Sequence, residues 1–317
     1  MDITVIGCGR WGSCIAWYLD RIGHNVTLYG NDMTQIHKIM ETRTNGVVDF
    51  GERINVTDSL DEAAKNETIV ISIPSQAVRG LMKELQGYGA SEKDYILCMK
   101  GIEISTGMRL SEVVREATSP ETRIAAWIGP GHVEEFTKGI PNCMVIDSDD
   151  ADYKNYLISS FSSELIRFYF GTDLIGNEIG AAAKNVIGIA AGMLDGKGLS
   201  SLKGPLMARG TREIARLIDA LGGNEISAYG LCHLGDYEAT LFSKFSHNRM
   251  YGELFAKGEQ YTSLAEGYYT VKAILKLAEK HNVDLPICEA VYKVLYDGAD
   301  LDKTLQNLFT RSLKNEF

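Results

Sequence analysis

The spacing of apolar residues divides the chain in two. In the first half, short apolar runs alternate with amphipathic stretches; in the second, only stretches of helical period remain. Residues 2–6, 25–29, 68–73, 95–99 and 124–128 are runs of five or six residues rich in Ile and Val, the length and composition of buried strands. Residues 144–146 and 166–170 extend that series. Between the first two runs, Ile15, Leu19 and Ile22 recur at helical spacing and stop at Gly23. Further helices are expected from Met33 and around residues 61–65. From Leu174 onward, helices are expected at 176–196, 205–221, 252–258, 263–281 and 284–297. In the second of these, Met207, Ile214, Leu217 and Ile218 share the apolar side. The pattern predicts a strand–helix domain over residues 1–171 and an all-helical domain over 172–317.

The first strand run leads at once into Gly7-Cys8-Gly9-Arg10-Trp11-Gly12, then a helix and a second strand run. Strand, GxGxxG, helix, strand is the arrangement that cradles a dinucleotide. Gly7 makes the turn, Gly9 lets the backbone approach a pyrophosphate, and Gly12 packs the helix on the sheet. The first domain is therefore read as α/β, Rossmann-type. Asn31 and Asp32 end the second run. An acidic group there accepts from a ribose 2′-hydroxyl and repels a 2′-phosphate, so NAD is expected, with NADP as the alternative. Asp32 also suits the cap of the following helix. Later strand ends carry Pro74-Ser75-Gln76, Lys100-Gly101 and Gly129-Pro130-Gly131-His132, on the sheet edge where ligands bind. Lys100 is a candidate for an anionic substrate, and His132 reads as a helix-start residue before VEEFTKG.

Charge narrows the ligand class. The net charge is −10, from 32 basic and 42 acidic residues, which disfavours nucleic acid and anionic membranes as partners. An anionic ligand then needs a local basic pocket. MDITVIGCGRWG does not read as a signal peptide, and no uninterrupted apolar run is long enough for a bilayer. The six cysteines, Cys8, Cys14, Cys98, Cys143, Cys232 and Cys288, are scattered without CxxC or zinc spacing. They are expected as free thiols in a reducing cytoplasm, and no metal site is expected.

Residues 176–196 hold the sharpest chemical signal. The stretch is small and apolar around one cation, Lys184, whose neighbours at three and four residues are Gly180, Ala181, Ile187 and Gly188. Burying a lysine calls for an anionic partner and lowers its pKa towards values useful in proton transfer. A structural pairing with Glu178 or another carboxylate, holding two helices together, is the competing reading. Two polar clusters, residues 233–240 and 246–249, stand out in the helical half as functional loops.

These motifs together resemble the NAD(P)-dependent glycerol-3-phosphate dehydrogenases, most closely the bacterial soluble type. The resemblance runs through GCGRWG, IPSQAVR at 73–79, KGIE at 100–103, GPGHVEE at 129–135 and GNEIGAAAKNVIGIAAGMLDGKGL at 176–199. It continues through LGD at 234–236, SHNRMYGELFAKG at 246–258, AEG at 265–267 and VDLPICEAVYKVLYDG at 283–298. It implies reversible reduction of dihydroxyacetone phosphate to sn-glycerol 3-phosphate in a cleft between the two domains. It implies that Lys184 is the catalytic lysine, with Asn185, Asp236 and Thr240 as its polar companions. Lys100 and Gly129 become substrate contacts, as do Ser246, His247, Asn248 and Arg249. Arg10, Trp11, Pro74, Lys100 and Glu266 fall at the cofactor. The expected partner is a small phosphorylated molecule, and a homodimer is the expected assembly.

The chain departs from the family pattern twice. Gly131 stands where the family has serine, and His247 where it has the arginine that contacts phosphate and cofactor. Histidine offers less charge and no bidentate fork. A rival enzyme reading is a reductase of another small phosphorylated or carboxylated carbonyl compound. A non-catalytic cofactor-binding protein is a third reading, opposed by the joint presence of Lys184, Asn185, Asp236 and Thr240.

Overall fold

The computed structural model describes residues 1–312 and 315. Its first part alternates strands and helices: β1 (Asp2–Ile6), α1 (Arg10–Arg21), β2 (Asn25–Tyr29), α2 (Met33–Thr42), β3 (Asn55–Thr57), α3 (Leu60–Ala63), β4 (Thr68–Ile71) and α4 (Val78–Gln86). It continues with β5 (Asp94–Leu97), α5 (Leu110–Glu116), β6 (Ile124–Ile128), α6 (Val133–Phe136), β7 (Asn142–Ser148), α7 (Ala151–Phe161) and β8 (Ile166–Phe170). Helices follow: α8 (Leu174–Gly196), α9 (Lys203–Ala220), α10 (His247–Ala256), α11 (Glu266–His281), α12 (Pro286–Tyr296) and α13 (Leu301–Phe309).

The eight strands form one sheet in the order β3-β2-β1-β4-β5-β6-β7-β8. Pairings from β3 to β6 are parallel; β7 runs antiparallel to β6, and β8 is parallel to β7. The order reverses at β1, so a crevice opens at the carboxyl ends of β1 and β4. Ile3, Val5, Ile69, Val70 and Ile71 are fully buried, as strands covered on both faces require.

The helical part is built around α8. Nineteen of its residues, from Leu174 to Leu194, are buried, so the apolar run is a core helix. Among the described residues, no helix is long and apolar enough to cross a membrane. Its small residues admit α10: a Cβ at Gly192 would lie 2.0 Å from the Arg249 carbonyl oxygen, and one at Gly252 would lie 2.1 Å from that of Ile189. The two backbones cross in direct contact.

Polar bonds fix α8 to the start of α5 and to β7. Glu178 accepts from the Ser111 amide at 3.0 Å, the Ser111 hydroxyl at 2.6 Å and Arg109 at 2.7 Å. Asn177 donates to Asp147 Oδ2 at 2.7 Å. Glu178 is therefore Arg109's partner, and the carboxylate that Lys184 meets is that of Asp236.

Several boundaries differ from the apolar pattern. β3 and α13 were not anticipated, because three residues and a short polar-rich helix leave little periodic signal. Residues 246–249 are not a loop. Ser246 caps α10 by accepting from the Arg249 amide at 3.3 Å, and the helix begins at His247.

Candidate active site

The crevice opens into a cleft of about 550 Å³ between the carboxyl edge of the sheet and the helices α8, α10 and α11. Its wall on the sheet side starts with the glycine loop. Gly7 has φ +118, and a Cβ there would lie 2.1 Å from the Ser72 carbonyl oxygen. One at Gly12 would lie 1.9 Å from the Gly7 carbonyl oxygen. Both glycines are set by backbone packing. Gly9 differs: a Cβ there meets nothing within 4 Å. No side chain caps α1 at Gly9, and its first turn holds no acidic residue. The amides of that turn stay available to an anion, so the loop fits the pyrophosphate of a dinucleotide.

Arg10, Trp11 and Pro74 line the same wall, and Glu266 faces them from the first turn of α11. The Glu266 carboxylate accepts from the Ser75 amide at 3.3 Å, and burial raises its pKa. Asn31 and Asp32 lie outside the cleft wall, exposed at the end of β2, and Asp32 caps α2 by accepting from the Gln35 amide at 3.1 Å.

The floor comes from α8. Lys184 is buried, with its Nζ 2.7 Å from Asp236 Oδ2 and 2.7 Å from Thr240 Oγ1. Asp236 sits in a 3₁₀ turn, Leu234–Asp236, and Thr240 in the π-helical turn Glu238–Phe242 that follows. This irregular backbone aims both side chains back at α8. Lys100, at the end of β5, reaches the same Asp236 oxygen at 2.7 Å and the Gly129 carbonyl at 2.7 Å. Gly129 thus lies behind Lys100 and not on the cleft wall. Asn185 donates to the Lys100 carbonyl at 2.9 Å and accepts from Asn248 at 3.0 Å, and Asn248 accepts from the Gly267 amide at 2.9 Å. This chain of bonds ties β5, α8, α10 and α11 around the floor.

Burial lowers the Lys184 pKa to about 8; Asp236 opposes that shift, and the neighbouring Lys100 adds to it. A buried lysine held near neutrality, hydrogen-bonded to a carboxylate and a hydroxyl, can both give and take a proton.

The polar cluster at 246–249 splits. Ser246, His247 and Asn248 line the cleft. Arg249 does not: its guanidinium binds Asp195 at 2.9 Å, Glu253 at 2.7 Å and the Ser243 carbonyl at 3.0 Å. The expectation that Arg249 contacts substrate is corrected, because α10 turns it towards the end of α8. His233, from the other polar cluster, is a core residue bonded to the Gly180 carbonyl at 2.8 Å and the Tyr237 hydroxyl at 2.7 Å. Two rim contacts had no signal in the sequence. Arg10 pairs with Glu134, and His247 Nδ1 bonds the Tyr261 hydroxyl, across 124 and 14 residues of chain respectively.

A proton-exchanging lysine facing a dinucleotide loop is the equipment of a nicotinamide-dependent oxidoreductase. The comparisons make the class specific. Residues 2–154 match the NAD-dependent glycerol-3-phosphate dehydrogenase N-terminus, and residues 173–306 match the C-terminus of the same family. The chain is 36% identical over 330 residues to a glycerol-3-phosphate dehydrogenase (NAD(P)+) of Thermoanaerobacter sp. (strain X514), covering 100% of this chain and 99% of the relative. A relative of the same description from Chlorobium limicola is 35% identical over 332 residues, with 100% and 99% covered. The crystal structure of glycerol-3-phosphate dehydrogenase from Coxiella burnetii superposes with a TM-score of 0.93 at 25% identity, covering 98% of this chain and 99% of that one. The chain belongs to the NAD-dependent glycerol-3-phosphate dehydrogenase family.

Proposed function

We propose that the protein reduces dihydroxyacetone phosphate to sn-glycerol 3-phosphate, and runs the reverse reaction, with Lys184 as the proton donor and acceptor. The observation that carries this reading is Lys184 buried at 2.7 Å from both Asp236 and Thr240, on the floor below the glycine loop. The nicotinamide cofactor, when bound, supplies the hydride. Adding hydride to a ketone builds negative charge on its oxygen. The Lys184 ammonium stabilises that charge and gives up its proton there, and Asp236 holds the ammonium in place. Thr240 accepts a second Lys184 hydrogen and fixes its direction. Asn185 and Asn248 keep the backbone of Lys100 and Gly267 in register with the floor.

Lys100, Ser246, His247 and Asn248 bind the phosphorylated substrate in this reading. Gly9, Arg10, Trp11, Gly12, Pro74 and Glu266 hold the cofactor, and Asp32 with Asn31 reads the ribose and favours NAD. The domains divide at residues 171 and 172. Cytoplasmic residence is supported by six free cysteines. A homodimer is the assembly to test by light scattering.

The test is the oxidation of NADH in the presence of a panel of small carbonyl compounds. Turnover is expected with dihydroxyacetone phosphate and to be at least tenfold less efficient with unphosphorylated or carboxylated ketones. Preference for a carboxylated ketone would favour the rival reductase.

A further inference from the structure

We propose that Tyr261 is a positioning residue for substrate binding: its hydroxyl fixes the tautomer of His247, so that His247 presents an Nε2–H donor to the substrate phosphate. The proposal rests on the assignment of His247 to the phosphate.

The cations of the cleft are already engaged. Lys100 and Lys184 both end on Asp236, and Arg10 pairs with Glu134. A phosphorylated substrate therefore meets few uncommitted donors. His247 is exposed on the cleft wall, at the first position of α10, where the family resemblance has an arginine. Arg249 cannot replace it, because Asp195 and Glu253 hold its guanidinium. The chain thus has a single side chain at this position of the wall, and an imidazole binds an anion through an N–H only.

Which nitrogen carries that hydrogen is set by the other nitrogen's partner. Nδ1 of His247 bonds the Tyr261 hydroxyl. Burial raises the pKa of Tyr261, so the phenol keeps its proton, and in the proposed arrangement it donates that proton to Nδ1. Burial and the Arg10 guanidinium lower the pKa of His247, while Glu134 acts in the opposite sense. The two larger causes, burial and Arg10, both favour the neutral imidazole in the free enzyme. A neutral imidazole accepting at Nδ1 carries its proton on Nε2. Without the phenol, both tautomers are populated, and the one bearing hydrogen on Nδ1 turns a lone pair towards the phosphate. Tyr261 is itself braced by Tyr251, with ring centroids 6.1 Å apart at 74°. It does not line the cleft, so it acts through His247.

The experiment compares Tyr261→Phe, His247→Ala, His247→Arg and the double variant carrying Tyr261→Phe and His247→Arg. Each is assayed for KM and kcat with dihydroxyacetone phosphate and for NADH affinity. Tyr261→Phe keeps the ring against Tyr251 and removes only the hydroxyl. It is expected to raise KM about threefold to tenfold, the span of one neutral hydrogen bond, with kcat within about twofold and NADH affinity unchanged. In the His247→Arg background the same change is expected to have no effect, since a guanidinium has no tautomer to set. Nitrogen-15 NMR of the imidazole is expected to report Nε2–H in the parent and a mixture of tautomers in Tyr261→Phe.

An unchanged KM and an unchanged imidazole spectrum in Tyr261→Phe, with KM raised in His247→Ala, would overturn the role of Tyr261 alone. An equal loss in the His247→Arg background would do the same, by making the effect structural. An unchanged KM in His247→Ala would overturn the phosphate assignment and the proposal with it.

Discussion

Lys100 and Lys184 end on one atom: each Nζ lies 2.7 Å from Oδ2 of Asp236. The carboxylate is 1% exposed, so water does little to separate the two ammonium groups. One negative charge between two positive ones leaves the floor of the cleft with a net positive field. That excess is what an anionic substrate and a developing alkoxide require in a chain whose overall charge is −10. The shared atom also couples the two parts of the fold. Lys100 comes from the sheet and Lys184 from the helical part, so Asp236 registers one against the other.

Asp236→Asn should therefore disable the enzyme without unfolding it. The amide keeps the shape and removes the charge, leaving the buried Lys184 ammonium facing the half-buried one of Lys100. Lys184 then loses its proton more readily, and its aim is lost. We expect kcat to fall about a hundredfold or more, with NADH affinity unchanged. A folded variant within tenfold of the parent would show that Asp236 neither orients nor charges Lys184.

The direction of the reaction should be visible in its pH profile. Burial lowers the Lys184 pKa to about 8, so its ammonium form is present below that value and is lost as pH rises through it. Ketone reduction needs the ammonium as acid, and alcohol oxidation needs the amine as base. The kcat for reduction should decline above about pH 8, and the kcat for oxidation should rise across the same interval. Parallel profiles in both directions would remove Lys184 from the proton transfer.

Placing a serine at position 131 should harm the protein. Gly131 has φ +153, and a Cβ there would lie 2.4 Å from a ring carbon of the buried Phe136. Gly131→Ser meets both a backbone that L residues rarely adopt and an aromatic ring with 1% exposure. We expect a loss of about 1–3 kcal/mol, read as a lower denaturation midpoint, and no gain in substrate affinity. Equal stability would mean that the α6 turn carrying Phe136 is free to yield.

Arg249 makes a similar case for structure over substrate. Arg249→Ala should lower stability by about 1–3 kcal/mol, since it deprives Asp195 and Glu253 of a largely buried partner. KM for dihydroxyacetone phosphate should stay within about threefold of the parent. A large rise in KM at unchanged stability would return Arg249 to the substrate site.

Much of this site is legible in the sequence because its groups sit at fixed offsets from strong local signals. The glycine loop follows a strand at once, and Lys184 is the one cation in a small apolar run. Lys100 stands at a strand end. What stays hidden depends on rotation and distance. Four residues of polar sequence, 246–249, read as a loop, yet Ser246 starts a helix whose 3.6-residue period sends His247 to the cleft and Arg249 away from it. Composition alone cannot assign those two directions. The antiparallel turn of β7 and the three-residue β3 are equally silent, because pairing partners set them and periodicity does not. Contacts such as Tyr261 to His247 arise only once α10 and the following loop are folded together.

The proposed preference for NAD rests on Asp32, in two steps. Its Oδ1 accepts from the Gln35 amide at 3.1 Å, which fixes the side chain at the start of α2 and leaves Oδ2 for a second donor. The residue is exposed just past the end of β2, the position from which this type of fold reads a dinucleotide's adenosine ribose. A ribose 2′-hydroxyl would donate to Oδ2. A 2′-phosphate brings two negative charges against the same oxygen and finds no hydrogen there to accept. The amides at the start of α2 favour an anion, and Asp32 already occupies that of Gln35. We expect kcat/KM to favour NADH over NADPH by about tenfold or more. Asp32→Asn keeps a capping oxygen and removes the charge, so it should narrow that ratio mainly by improving NADPH. Asp32→Ala should narrow it too and also loosen α2, by about 1 kcal/mol for a lost cap. If the parent uses both cofactors equally, and Asp32→Asn leaves the ratio where it was, Asp32 serves only α2.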